Sequence, residues 1–262
     1  MEKYALIGHN ISYSKSPIIH QTIYTVIGVD GSYDLYSLQP SELGSFCEFA
    51  KKELKGFNIT KPYKEQILPY LDGYESKSVN TVVNRNGKLY GYSTDGYGFT
   101  RDLAINFGKI SGKALVLGAG GVSRVIVEEL KNLGLTVYIH NRTKEKAESL
   151  AKEFNLTAVN AGEVKPDFIV NCTSFGFNAG ENPLISNGEF LFDTTNVKWA
   201  YDTIYSPPQT EFLRSLQGGK TANGLGMLVL QAVQADRIMC NKQIDEQTEK
   251  KIYDLLIKEK KI

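Results

Sequence analysis

The chain has 262 residues, 42% of them hydrophobic, and its 30 Lys+Arg almost balance 29 Asp+Glu. That length fits one large domain or two small ones, and the even charge gives no electrostatic case for a nucleic-acid or membrane-surface binder. Three scattered cysteines and three histidines make no disulfide or metal-ligand spacing, and no apolar run approaches the ~18 residues of a membrane span, so a cytoplasmic protein without a metal is expected.

Residues 4–7 predict a strand ending at Gly8. After a short loop, Ser16 suits a helix N-cap and Pro17 the first helical position, with Ile19, Ile23, Val26 and Ile27 forming an apolar face. Ser14 and Ser16 read either as capping residues alone or as two hydroxyls at a helix start that receive a carboxylate. Residues 32–38 form a second strand. Ser41 caps a helix with Leu43, Phe46 and Ala50 inward, and residues 56–60 form a third strand. Lys61-Pro62 opens a helix containing Tyr63, Lys64 and Ile67. Such alternation indicates α/β layering.

Lys64 is a candidate acid or base. In the first turn of a helix, partial desolvation disfavours its ammonium form, while a nearby Asp95 would oppose that and orient the amine. Residues 81–84 and 88–91 flank Asn86-Gly87, a type I′ hairpin signal that makes the sheet mixed. Thr94-Asp95-Gly96 then starts a helix through Phe99, Leu103 and Phe107. Asp95 is either its N-cap or a functional acid.

From Ala114 the β-α-β pattern restarts. Residues 114–117 pass through Gly118-Ala-Gly-Gly121 into a helix from Val122. This is the dinucleotide-binding turn, where glycines permit a tight bend and let a pyrophosphate approach a helix N-terminus. Ser123 stands at the third glycine of G-x-G-x-x-G. Residues 136–140 predict the next strand, followed by Asn141-Arg142-Thr143-Lys144-Glu145-Lys146. NAD sites usually place an acid there for the ribose 2′-hydroxyl, and the first three positions here carry none. Arg142, with Thr143 and Lys146 as further donors, suits the 2′-phosphate of NADP. Residues 167–170 and 199–204 predict later strands, and 227–238 a buried helix. Residues 245–258 predict an amphipathic helix with Ile252, Leu255 and Leu256 inward, and 258–262 a solvated tail.

Along essentially its whole length the chain resembles the shikimate dehydrogenase family. The matching stretches are Ser14-Lys-Ser-Pro17, Gly56-Phe-Asn-Ile-Thr-Lys-Pro-Tyr-Lys64, Val79-Asn-Thr81, Thr94-Asp-Gly96, Gly118-Ala-Gly-Gly121, Asn141-Arg-Thr143, Asn171-Cys-Thr-Ser174, Asp202-Thr-Ile-Tyr205 and Gly224-Leu-Gly-Met-Leu-Val-Leu-Gln231. The resemblance implies an α/β protein with an N-terminal mixed-sheet substrate domain (1–97) and a C-terminal Rossmann NADP-binding domain (98–226). The last helices (227–262) return to the first domain, and the active site is the cleft between the two, which closes in use.

Roles follow from the same resemblance. Ser14 and Ser16, joined by Tyr205, hold the substrate carboxylate. Thr60, Asn80 and Gln231 bond the ring hydroxyls, and Lys64 and Asp95 form the dyad at the carbon undergoing redox. Gly118, Ala119, Gly120, Gly121 and Val122 bind NADP with Asn141, Arg142, Thr143 and Lys146, while Thr203 and Gly224 line the nicotinamide end. The implied reaction is the reversible NADP-dependent reduction of 3-dehydroshikimate to shikimate, on the route to aromatic amino acids, by a monomer or homodimer. A quinate/shikimate dehydrogenase acting on a related ring acid and a non-catalytic NADP-binding regulatory module are the rival readings. Four places depart from the family pattern: Tyr13 for a common His, Ser93 for Asn, Phe175-Gly-Phe177 for a usual Gly-Met, and Asp236 and Met239 around the usual aromatic pair.

Overall fold

A computed structural model describes residues 1–216, 218–259 and 262. The chain divides into two compact units, Met1–Gly98 with Leu228–Ile262, and Phe99–Met227.

The first unit contains β1 (Glu2–Gly8), α1 (Ser16–Ile27), β2 (Gly31–Ser37), α2 (Leu43–Glu53), β3 (Gly56–Ile59), the single turn α3 (Tyr63–Gln66), β4 (Gly73–Tyr74), β5 (Thr81–Arg85), β6 (Lys88–Tyr92) and the start of α4 (Asp95–Phe107). Its sheet runs in the order β2-β1-β3-β5-β6-β4. β1 is parallel to β2 and β3, whereas β3, β5 and β6 are antiparallel neighbours. The connections through α1 and α2 step in opposite directions along the sheet, so right-handed crossovers put the two helices on opposite faces. The period-2 alternation of β1 matches this. Ala5 and Ile7 pack with Phe46, Ala50 and Tyr63, and Tyr4 and Leu6 pack with Tyr24, Ala235 and Met239. Asn86 and Gly87 both have positive φ (55° and 82°), the signature of the type I′ turn joining β5 to β6.

The second unit continues through β7 (Lys113–Leu117), α5 (Gly121–Asn132), β8 (Thr136–His140), α6 (Lys144–Phe154), β9 (Thr157–Ala158), β10 (Phe168–Asn171), β11 (Ile185–Ser186), β12 (Glu189–Phe190), β13 (Trp199–Asp202), α7 (Glu211–Ser215), β14 (Lys220–Asn223) and the start of α8 (Leu225–Met239). The larger sheet is parallel throughout, in the order β14-β13-β10-β7-β8-β9. Strand order therefore reverses between β7 and β10, which is the doubly wound dinucleotide-binding arrangement. Both faces are covered: Ala114 and Val116 join one apolar cluster, and Leu115 and Leu117 the other. The chain ends through α9 (Glu246–Tyr253) and a π-helical stretch at Asp254–Lys258.

Several local expectations shift. Ser16 is the first residue of α1 rather than its cap; the Ser14 hydroxyl accepts its N–H at 3.2 Å, and Lys15 stands at the N-cap. Ser41 lies inside a 3-10 turn at Pro40–Glu42, and Glu42 closes that turn by accepting from the Gln39 N–H. The strand expected to reach residue 204 stops at Asp202, whose carboxylate accepts the Ile204 N–H and turns the chain. Leu256 and Ile252 are buried and Leu255 is half-buried. Lys260 and Lys261, within the expected solvated tail, lie outside the described residues.

Candidate active site

In the first unit, three loops that follow sheet strands bring polar groups together. β3 ends next to Thr60, whose carbonyl accepts the Tyr63 N–H at 3.1 Å and so starts α3. Lys64 therefore sits in that short helix, and its Nζ donates to Asp95 Oδ2 at 2.5 Å. The pair is mostly sheltered, with side chains 27% and 14% exposed, so the contact is stronger than a surface ion pair and fixes the amine's direction.

Asp95 is itself held. Its Oδ1 accepts from Asn80 Nδ2 at 2.8 Å. Asn80 cannot turn around, because its Oδ1 already accepts the Thr94 N–H at 2.8 Å, which leaves only donors facing the acid. Gln231, on α8, presents Oε1 to Asn80 Nδ2 at 3.2 Å and to the Thr94 hydroxyl at 3.3 Å. Behind them, buried Asn58 donates to the Asn80 carbonyl at 3.1 Å and to Thr81 Oγ1 at 3.0 Å. Asn58 was not among the expected site residues. Its one sequence signal is a polar residue inside a strand whose four residues are all buried.

Ser14 and Ser16 also lie together, the first hydroxyl donating to the second at 3.1 Å, both half-buried at the start of α1. Two hydroxyls at the positive end of a helix dipole are suited to receive a carboxylate.

In the second unit, β7 delivers the chain to Gly118, where φ is +104° and a Cβ would come within 3.1 Å of the Cys172 backbone. Only glycine fits that bend. Gly120 and Gly121 follow with nothing within 4 Å of where their Cβ atoms would stand, which leaves the N-terminus of α5 open to a ligand. Ser123, at the expected third glycine, is fully buried and accepts the Gly120 N–H at 3.1 Å, so it braces the turn from inside. A cavity of about 580 Å3 lies against these residues. Gly118, Ala119, Gly120, Asn141, Arg142, Thr143 and Lys146 line it, as do Thr173 and Phe175 across the switch point. Gly121 and Val122 are outside that lining.

Arg142 is exposed, with its guanidinium carbon 5.9 Å from the centre of the Phe175 ring. Among the described residues no carboxylate pairs with Arg142 or Lys146, whereas Lys144 is taken by Glu148 at 3.6 Å. A basic pair left free beside a glycine turn fits a doubly charged phosphate better than a neutral ribose hydroxyl. The β11–β12 hairpin supplies Ile185 and Ser186 to the same cavity. Its two-residue strands carry no periodicity, and the sequence marks only their turn, Asn187-Gly188, with φ of 52° and 82°.

Thr203 follows β13 and bonds the Asn171 carbonyl through both N–H (3.0 Å) and hydroxyl (2.9 Å). Gly224 passes directly beneath it, for a Cβ there would meet Thr203 O at 2.4 Å. Tyr205 lies two residues further along the same loop and is partly exposed.

Asp202 anchors that loop. It is fully buried and accepts from Asn171 Nδ2 and the Ile204 N–H, both at 3.0 Å, and from Thr210 Oγ1 at 2.5 Å. Burial pushes its carboxyl from 3.8 up to about 6, with the hydrogen bonds pulling the other way. The folded chain thus holds this proton more tightly than the unfolded chain. The stabilisation from that proton is full below about pH 4 and is lost as pH rises through about 6, by up to ~3 kcal/mol. Asp202→Asn is expected to flatten that interval, because the amide keeps the acceptor and Thr210 can reverse its bond. Urea unfolding at pH 4, 5, 6 and 7 measures it; parallel pH curves for wild type and variant would refute the titration.

A family model described as "Shikimate dehydrogenase substrate binding domain" matches residues 6–82, and one described as "Shikimate / quinate 5-dehydrogenase" matches 103–174. The chain is 38% identical over 260 residues to the shikimate dehydrogenase (NADP(+)) of Caldicellulosiruptor saccharolyticus, covering 91% of this chain and 92% of that one. It is 37% identical over 247 residues to the shikimate dehydrogenase (NADP(+)) of Aquifex aeolicus, covering 90% of each. Among solved structures, the crystal structure of shikimate 5-dehydrogenase from Thermus thermophilus in complex with NADP(H) and shikimate is similar at a TM-score of 0.86 and 33% identity, over 97% of this chain and 99% of that chain. No helix among the described residues is long and apolar enough to cross a membrane.

Proposed function

The chain belongs to the shikimate dehydrogenase family, and from that premise we propose that it interconverts 3-dehydroshikimate and shikimate with NADP as its redox partner. The observation that carries the reading is the sheltered Lys64–Asp95 pair, with Asn80 fixing the acid from behind. When bound, NADPH supplies the hydride that a ketone carbon accepts. The chain's own residues then handle the charge that forms on oxygen.

Lys64 stands as a donor whose proton passes to the developing alkoxide, and the same amine takes it back in the oxidation direction. Asp95 aims Lys64 and accepts a hydrogen bond from the same substrate hydroxyl, while Asn80, Thr60 and Gln231 engage the ring hydroxyls. Ser14 and Ser16 take the carboxylate, joined by Tyr205. Gly118, Ala119, Gly120, Gly121 and Val122 receive the pyrophosphate, Thr203 and Gly224 border the nicotinamide, and Arg142, with Asn141, Thr143 and Lys146, holds the 2′-phosphate. Holding reactants in place supplies much of the rate, and the proton relay supplies the rest.

The matched description naming quinate as well as shikimate makes quinate the second substrate to try. Following NADP reduction by absorbance, with shikimate and quinate each against NADP and NAD, tests the proposal. Turnover confined to shikimate with NADP supports it. Quinate turnover with NAD would replace it by the broader ring-acid reading, and cofactor binding without turnover would leave a binding module.

A further inference from the structure

Helix α1 begins with Ser16, and helix α8 carries Gln231. The two helices meet through apolar residues, Ile19 and Ile23 against Val229, Ala232 and Val233. A polar contact interrupts that packing. His20 Nδ1 lies 2.9 Å and 2.8 Å from the two oxygens of Asp236, and the side chains are 1% and 0% exposed. A ring nitrogen facing both oxygens of a carboxylate must carry the proton and donate it to them.

Stability alone gives little reason for such a pair. Burial pushes the Asp236 carboxyl up and His20 draws it back. An apolar pair of similar volume joins two helices at least as well, because it has no charge to desolvate. The family resemblance leads one to expect an aromatic pair around Asp236 and Met239, so an acid here is a departure.

The pair also reaches the substrate cluster from two sides. His20 is one turn along α1 from Ser16. Its ring stacks on Tyr33, with centroids 4.0 Å apart and planes 8° from parallel. The Tyr33 hydroxyl donates to Asn58 Oδ1 at 2.8 Å, and Asn58 holds the carbonyl of Asn80, the residue that fixes Asp95. Burial and the Asp236 charge hold the Tyr33 phenol well above its usual range, so it stays a donor to Asn58.

Granted the roles proposed above for Ser16, Asn80 and Gln231, we propose that His20 and Asp236 are positioning residues. Their directional bond sets the register of α1 against α8, and with it the spacing between the carboxylate-binding serines and the hydroxyl-binding groups. Apolar contacts tolerate a slide of a fraction of an ångström, whereas a bifurcated hydrogen bond does not. A misplacement near 1 Å can cost roughly a hundredfold in a positioned reaction.

The test replaces both residues, His20→Phe with Asp236→Leu, so that the stack on Tyr33 and the helix packing persist without the bond. The double variant is expected to unfold at the wild-type temperature or above, while its KM for shikimate rises about tenfold or more and its KM for NADP stays within about twofold. Asp236→Asn, which keeps an acceptor for Nδ1–H, is expected to bind shikimate within about threefold of wild type. Wild-type shikimate affinity in the double variant overturns the proposal. If that variant does not fold, Asp236→Glu keeps charge and bond but lengthens the link by one methylene. A raised shikimate KM then supports the register, and an unchanged one overturns it. Calorimetry of wild type with shikimate separates the two levels: no binding at all removes the substrate assignment, whereas wild-type affinity in the double variant removes only the positioning role.

Discussion

Lys64→Met is expected to lower kcat for shikimate oxidation by about 10³-fold while the dissociation constant for NADP stays within about twofold of wild type. Methionine matches the lysine stem as far as Cε and keeps it packed, so the change removes the amine and little else. What is lost is the sheltered amine directed by Asp95, which accepts from it at 2.5 Å. The cofactor cavity is lined by residues of the other unit, from Leu117 to Leu191, so cofactor binding has no reason to change. Asp95→Asn should cost less, about a hundredfold, because Asn80 still holds the side chain while the charge that orients Lys64 is gone. Steady-state kinetics with a parallel NADP titration decide the matter. A kcat within about tenfold of wild type for Lys64→Met would remove the proton-donor assignment. Loss of cofactor binding would point to a folding defect instead.

Arg142→Ala is expected to reduce the preference for NADP over NAD by about ten- to a hundredfold, the equivalent of one charge-assisted contact of about 1.5–3 kcal/mol. Its guanidinium borders the cavity beside Phe175 with no acid of the described residues pairing it, so it is available to a phosphate. Because Arg142 is exposed, the effect should shrink as salt screens it. The measurement is kcat/KM for both cofactors at low and moderate ionic strength. The expected pattern is a fall for NADP alone. An equal fall for both would mean that Arg142 packs on the part of the dinucleotide they share.

Much of the site was legible before any fold was drawn. The glycine turn at Gly118 could be read because a strand, a bend and a helix follow one another within a few residues, and local geometry governs each step. The basic cluster from Arg142 to Lys146 was legible for the same reason, since the end of β8 follows the glycines at a fixed interval. Ser123, Asn58 and the β11–β12 hairpin were not. Ser123 takes its meaning from a hydrogen bond to Gly120 inside the turn, and Asn58 from partners on β5. The hairpin strands are two residues long and exposed, too short for any periodic signal, so Asn187-Gly188 marked a turn without the strands to place it. Ser16 was placed one position too early because the Ser14 hydroxyl had already claimed its N–H.

By itself the sequence determined the alternation of strands and helices, the dinucleotide turn, the absence of an acid after β8 and, through its motifs, the family. Those are properties of neighbouring residues, set by φ/ψ preference, side-chain period and charge order. Tertiary structure alone decided which distant residues meet: Lys64 with Asp95 across 31 positions, Asn80 with Gln231 across 151, and His20 with Asp236 across 216. Such meetings depend on strand order and on the face of the sheet each helix covers, and no local preference encodes either. A buried acid such as Asp236 reads along the chain as one more charge on a helix. Only the fold places it in an apolar seam, where a histidine meets it.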